Sequence, residues 1–158
     1  MQYVVADYHN PDHEKAIIYL MDCYAKDPMG GNQPLSDEIK NNIVTGLKKY
    51  PNAFTLLAFK GGKPAGLANC FESFSTFKCK PLINIHDLIV SADYRSLGIG
   101  KRLLKEVDAI ALERGCCKIT LEVLKGNKPA QILYNQHGFA AYELSPEYGK
   151  AQFWEKVL

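Results

Sequence analysis

The segment that most narrows the folds open to this chain is PLINIHDLIV, residues 81–90, running into SADYRSLGIGKRLL, residues 91–104. An apolar run of strand length leads through a short polar link to two glycines, Gly98 and Gly100. Beyond them Ile99, Leu103, Val107 and Ile110 recur at helical spacing. A strand that feeds a helix through a glycine turn is an α/β element. Glycines at such a helix start let backbone N–H groups approach a phosphate.

The rest of the chain supplies partners for that unit. YVVADY reads as a strand, and Asn10-Pro11 as a cap with proline at the first helical position. Ala16, Ile17, Leu20, Met21 and Tyr24 then share one helical face. KDPMGGNQPLSDE is a loop, and Ser36 opens a second helix with Ile39, Ile43 and Leu47 on its buried face. AFTLLAFKGGKPAGLANCFESF is a hairpin turning at KGGK. The helix after Gly98 stops at Gly115, CCKITLEV is a strand, and NKPAQILYNQH is a short helix closed by Gly138. FAAYEL and AQFWEKVL are read as closing strands. The predicted order is β-α-α-β-β-β-α-β-α-β-β: a mixed, mostly antiparallel sheet of about seven strands with helices on both faces.

Composition bounds the function. A chain of 158 residues, 47% hydrophobic and 23% charged, suits one soluble domain spanning 1–158. A net charge of +2 is too small to point to nucleic acid. No apolar run approaches the ~18 residues of a membrane span, and the N-terminus lacks a secretory pattern, so the expectation is a cytoplasmic protein that binds no membrane. Five cysteines without a C-x-x-C suggest neither a disulfide framework nor a metal site, and the vicinal Cys116-Cys117 reads as small buried thiols. His9 and His13 are four apart, but Pro11 lies between them and no third ligand is near.

Two phosphate-binding motifs are eliminated by spacing. A Walker A loop needs four residues between its first glycine and Gly-Lys-Ser/Thr, and GIGKR has one, with Arg102 in the hydroxyl's place. A dinucleotide fingerprint needs a third glycine where Leu103 stands, directly after a strand from which SADY separates this loop.

What fits is R-x-x-G-x-G, at Arg95, Gly98 and Gly100. It resembles the acyl-CoA-binding motif of the GNAT (GCN5-related) N-acetyltransferases. GNKPAQILYNQHGF is similar to the family's N-x-x-A-x-x-L-Y-x-x-x-G-F segment, with Asn127, Ala130, Leu133, Tyr134, Gly138 and Phe139 in register. The element order is also that family's, so the resemblance implies a GNAT fold across nearly the whole chain. It implies acetyl-CoA as co-substrate, with the pyrophosphate at the 95–101 segment (Arg95, Ser96, Leu97, Gly98, Ile99, Gly100, Lys101). The pantetheine would lie along Leu88, Ile89 and Val90 and reach Asn127 and Tyr134. Asn127 also reads as a plain N-cap. Arg102 adds charge nearby. The implied acceptor is a small-molecule or peptide amine, bound under the DPMGGNQP loop as a lid. A homodimer is compatible with the resemblance, though no residue argues for it. A noncatalytic acyl-CoA-binding regulator is the alternative within the fold, and a nucleotide-binding module the more distant one.

Acetylating an amine is chiefly a protonation problem. A lysine-like amine with pKa ~10.4 is neutral in about one molecule in 2,500 at pH 7, a deficit of roughly 4.6 kcal/mol. Period-2 alternation puts Asn84, His86, Leu88 and Val90 on one face and Asp87 on the other. The resemblance makes His86 a proton-relay candidate, since some family members place such a histidine there. Asp87 is either an alternative base, should a bulge reorient the strand, or the carboxylate that orients His86. Tyr134 is the candidate acid for the departing thiolate, because a phenol of pKa ~10 keeps its proton at pH 7. Glu72 is a weaker candidate at the acceptor cleft.

Overall fold

The computed structural model describes residues 1–158. In chain order the elements are β1 (Gln2–Val5), α1 (Pro11–Lys26), α2 (Asp37–Lys48), β2 (Ala53–Lys60), β3 (Lys63–Ser75), β4 (Lys80–Val90), α3 (Ile99–Glu113), β5 (Ile119–Leu121) and α4 (Lys128–Gln136). A 3₁₀ turn at Ala92–Tyr94 precedes α3. The chain divides into two compact units, Met1–Leu121 and Glu122–Leu158.

The first unit holds a sheet of five strands in the order β1-β2-β3-β4-β5. β1 to β4 form an antiparallel meander, and β5 runs parallel to β4. Leu57, Leu67 and Ile89 are register partners in one row. That row packs under Ala16, Ile17 and Leu20 of α1 and Val44 of α2. Ala58, Gly66 and Val90 make the adjacent row, which faces α3 through Ile99 and Leu103. Helices therefore cover both faces, as the pattern predicts.

Local signals explain the helix bounds. The Asn10 side chain accepts from the Asp12 and His13 N–H groups, and Pro11 needs no partner at the first position. Ser36 accepts from the Ile39 N–H. Gly115, at φ +67°, ends α3, with Cys116 N–H bonded back to the Ala111 carbonyl at 2.9 Å. Ile39 is 47% exposed, and the buried anchor of α2 is Val44 instead. Cys116 and Cys117 are half-buried rather than buried.

The strand count falls short of the expected seven. In the second unit FAAYEL makes one isolated bridge, Glu143 with Lys150 just ahead of AQFWEKVL, and that segment adds only a 2.9 Å bond from Ala151 N–H to the Tyr142 carbonyl. Tyr142, Leu144, Phe153 and Trp154 are exposed. Alternation of residue type predicts strands, but a lone two-stranded ribbon is marginal in water, and within this unit no third strand pairs with it.

Gly66 is where the sheet meets α3 most closely. A Cβ there would stand 2.9 Å from the Ile89 carbonyl oxygen, 3.2 Å from Ile99 Cγ2 and 3.3 Å from Leu103 Cδ1. Since the first of these is backbone, Gly66→Ala is expected to destabilise the protein by about 1–3 kcal/mol, read as a lower urea midpoint at unchanged slope.

Candidate active site

The site is organised by an extra residue in β4. Asn69 pairs with Asp87 and Cys70 with Ile85, so His86 has no partner on β3. This is a β-bulge. Phe71 pairs with Asn84, and Asn69 and Phe71 point to the same face of β3. Asn84 and Asp87 therefore share the face toward α1, where uninterrupted alternation would have opposed them. Ile85 and Leu88 take the α3 face. The exposed His86 ring stands edge-on to Phe71, with centroids 5.7 Å apart.

Below α1 a chain of polar side chains ends on Asp87. Tyr8 Oη lies 2.9 Å from Thr55 Oγ1, Thr55 donates to Asn69 Oδ1 at 2.6 Å, and Asn69 Nδ2 donates to Asp87 Oδ2 at 3.0 Å. Thr55 and Asn69 are buried. Asp87 lines a cavity of about 280 Å³ with Met21, Tyr24, Ala25, Met29, Gly30 and Leu35. Burial raises the Tyr24 phenol above its ordinary pKa, and the nearby charges of Asp87 and Asp27 add to the shift.

The 27–36 loop over this cavity is held by specific bonds. Asp27 accepts from the Met29 N–H at 2.9 Å, and Gln33 N–H reaches the Ala25 carbonyl at 3.1 Å. Gly30 packs on the end of α1, where any Cβ would collide with the Tyr24 carbonyl oxygen. Close approach accounts for this glycine. Leu35 N–H donates to Asp22 Oδ1 at 2.9 Å, and Asp22 also binds Lys26 at 2.6 Å and Lys40 at 3.1 Å.

The motif loop leaves β4 beside this cavity's loop. Ser96 (φ +62°) and Gly98 (φ +76°) are both left-handed. Gly98 caps α3 without any side-chain hydrogen bond, and the first turn of α3 contains no acidic residue. The leading N–H groups thus face outward at the positive end of the helix dipole. Ser96, Leu97 and Lys101 are exposed, whereas the Ile99 side chain is buried and offers the loop only its backbone. Arg95 Nε donates to the Val90 carbonyl at 3.2 Å and Nη2 binds Asp27 Oδ2 at 2.6 Å. The Met29 N–H, and then Arg95, hold the Asp27 carboxyl below its ordinary pKa. Arg102 is turned to Glu106, 2.6 Å away. Pairing of β4 with β5 stops at Ile85 and Leu121, so residues 86–90 have no partner on that side. Along them Ile89 is buried and Leu88 and Val90 are half-buried.

In the second unit, Asn127 is the N-cap of α4, accepting from the Ala130 N–H at 3.2 Å. Tyr134 lies two turns further on, half-buried and edge-on to Phe139 at 5.9 Å. Glu72 binds Arg114 at 3.1 Å on the α3 side of the sheet, away from the cavity.

The sequence profile of the Acetyltransferase (GNAT) family matches residues 17–139. The chain belongs to the GNAT acetyltransferase family. A thialysine N-epsilon-acetyltransferase of Bos taurus is 41% identical over 68 residues, 43% of this chain and 39% of that protein. The match thus spans about two-fifths of the bovine relative. The Caenorhabditis elegans protein of the same name is 26% identical over 131 residues, 79% of this chain and 76% of its own. A solved aminoglycoside acetyltransferase from an uncultured soil metagenomic sample, in complex with sisomicin, superposes with a TM-score of 0.78 at 18% identity, covering 99% of this chain and 96% of that one. That likeness concerns the fold.

Within this GNAT chain the structure joins Asp87 to residues that sequence patterns do not single out. Asn69, Thr55 and Tyr8 look like ordinary strand and loop positions until the register aligns them. Their one signal is that Thr55 and Asn69 are polar residues inside the apolar runs AFTLLAF and AGLANCF.

Asp22 ties the cavity loop to both helices. Its bonds to Lys26, Lys40 and the Leu35 N–H lower its pKa from an ordinary 3.8 to about 2. A depressed carboxyl stabilises the fold at neutral pH and loses that contribution as pH falls from about 4 through 2. Asp22→Asn should therefore be less stable than the parent at pH 7, decline less steeply below pH 4 and converge with it near pH 2 in urea titrations.

Proposed function

We propose that this protein is an N-acetyltransferase that moves the acetyl group of acetyl-CoA to a primary amine by direct attack in a ternary complex. GNAT family members use acetyl-CoA as co-substrate and act on amines. The observation that carries the reading is the juxtaposition at the end of β4. An unpaired strand edge over residues 86–90 leads into an uncapped, non-acidic helix N-terminus. The first suits an extended pantetheine pairing as an added strand. The second suits a pyrophosphate.

In this reading the N–H groups around Gly98, Ile99 and Gly100 bind the pyrophosphate, and Lys101 adds charge. Arg95 keeps donors beyond the two in use. A β4 backbone N–H donates to the thioester oxygen as charge develops on it. The amine nitrogen attacks the carbonyl carbon, the C–N bond forms and the C–S bond breaks. The amine's surplus proton passes to His86 or Asp87, and Tyr134 returns one to the leaving thiolate. Asn127 supports the pantetheine while capping α4. One GNAT domain across 1–158, acting in the cytoplasm on a small-molecule or peptide amine, completes the reading.

Two variants test it. A Cβ at Gly98 meets no atom within 4 Å, but Gly98→Val must hold φ +76°, at a cost of at least about 1–2 kcal/mol. Calorimetry should show a folded protein whose acetyl-CoA affinity has dropped at least tenfold. Parent-like affinity would refute the loop assignment. Tyr134→Phe keeps the ring and deletes the proton, so turnover in a thiol-release assay should fall at least tenfold with acetyl-CoA affinity little changed. Full activity would leave the thiolate to take its proton from water.

A further inference from the structure

We infer that the cavity under the 27–36 loop is the acceptor site, and that it selects a protonated primary amine on a slender apolar stem bearing no anionic group. The inference rests on the acetyltransferase reading and gives that reaction its substrate class.

The cavity walls carry the first part. Met21, Ala25, Met29 and Leu35 are apolar, Gly30 has no side chain, and Tyr24 is neutral at pH 7 with its phenol pKa raised further. Asp87 is the one charged group in the lining. At about 280 Å³ the space lies at the lower end of small-molecule pockets, ~300–1,000 Å³. A compact stem fits this volume better than a branched sugar does.

The hydrogen-bond chain carries the second part. Thr55 gives its proton to Asn69 Oδ1, so its oxygen accepts the Tyr8 hydroxyl. With Asn69 Oδ1 thus engaged, its amide nitrogen faces Asp87. The opposite amide orientation would set oxygen against carboxylate. Asp87 is consequently fixed as an acceptor. One oxygen is held by the amide, and the group retains lone pairs for an ammonium. Tyr8, Thr55 and Asn69 are positioning residues for that carboxylate.

Electrostatics carry the third part. No Lys, Arg or His lines the cavity. The cations of adjoining elements are already matched, Lys26 and Lys40 with Asp22 and Arg95 with Asp27. An acceptor's carboxylate or phosphate would meet Asp87 without a lining counter-charge. Its ammonium would meet the half-buried Asp87 carboxylate, a charge of opposite sign. Thialysine, the acceptor in the bovine relative's name, bears a carboxylate. This cavity is built for another kind.

Matched amines test the inference. After calorimetry with acetyl-CoA, thiol release is followed with hexylamine against 6-aminohexanoate, and with propylamine through hexylamine. The expected kcat/KM ratio of hexylamine to 6-aminohexanoate is at least thirtyfold, and each added methylene should gain about threefold to fourfold until the cavity is filled. Asp87→Asn should bring the ratio below about fivefold, a change that loss of a proton acceptor alone would not produce. Thr55→Val should lower the ratio partway, and Thr55→Ser should restore it. Where Asp87→Asn turns over too slowly, the ratio is read from calorimetric Kd values of both amines with the CoA complex. Equal rates on the matched pair, or an unchanged ratio in Asp87→Asn, would overturn the inference. Acetyl-CoA binding without acetylation of any alkylamine would overturn the acceptor class and leave the cofactor site standing. Absence of acetyl-CoA binding would bring down both.

Discussion

The rest of the first unit depends on one surplus residue in β4. A strand in perfect register presents alternate residues to opposite faces, and here that would have put Ile83, Ile85, Asp87 and Ile89 on one side. The bulge at His86 divides them. Ile83 and Ile85 go to the α3 face, and Asp87 and Ile89 to the α1 face. The strand thereby serves two cores and delivers a carboxylate to the cavity between α1 and the 27–36 loop. His86, without a partner on β3, forfeits a ladder position and gains exposure beside that carboxylate. A bulge next to a site re-aims a side chain without changing the sheet's order.

Three glycines then solve three separate problems around that strand. Gly66 lets α3 lie close to the sheet, Gly30 lets the loop close on the end of α1, and Gly98 supplies the left-handed turn that starts α3. Only the last belongs to the motif. The other two are contact glycines, whose roles appear when the neighbouring backbone is in place. Ser96 shares the left-handed conformation of Gly98 without its freedom. Non-glycine residues rarely adopt that conformation, so the loop is locally strained where its N–H groups turn outward.

What was legible in the sequence is what local chemistry decides. Asn10, Ser36 and Gly115 end helices through bonds within a few residues, and each is found where the pattern puts it. The R-x-x-G-x-G spacing carries the family in the same way. What was not legible needs register. Asp87 appears on the wrong face under simple alternation, because nothing in INIHDLIV marks His86 as the extra residue. Asn69 and Tyr8 are 61 positions apart in the chain, and only antiparallel pairing brings the members of their chain together. FAAYEL and AQFWEKVL alternate like strands, yet a ladder needs a neighbour, and the pattern says nothing about one. Ile39 is apolar at helical spacing and still 47% exposed, since Val44 rather than Ile39 reaches the core.

Arg95 joins the two halves of the site. Its guanidinium bridges the last residue of β4 and Asp27, the residue at which α1 ends and the cavity loop begins. The motif loop at the start of α3 is thereby tied to the loop that covers Asp87. The tie is weak in energy. Arg95 is half exposed, and exposed pairs of this kind are worth about 0–1 kcal/mol. A pyrophosphate bound near Gly98, as proposed, would compete for the same donors on comparable or better terms. Asp27 would then keep the Met29 N–H as its partner and remain charged, because that bond is the larger cause of its lowered pKa. Exchange at Arg95 therefore costs the cavity loop one tether and leaves its backbone bonds intact. Of the two loops, the motif loop is the one built to change partners. The cavity loop, held by Asp22, Asp27 and the fit of Gly30, is the one built to stay.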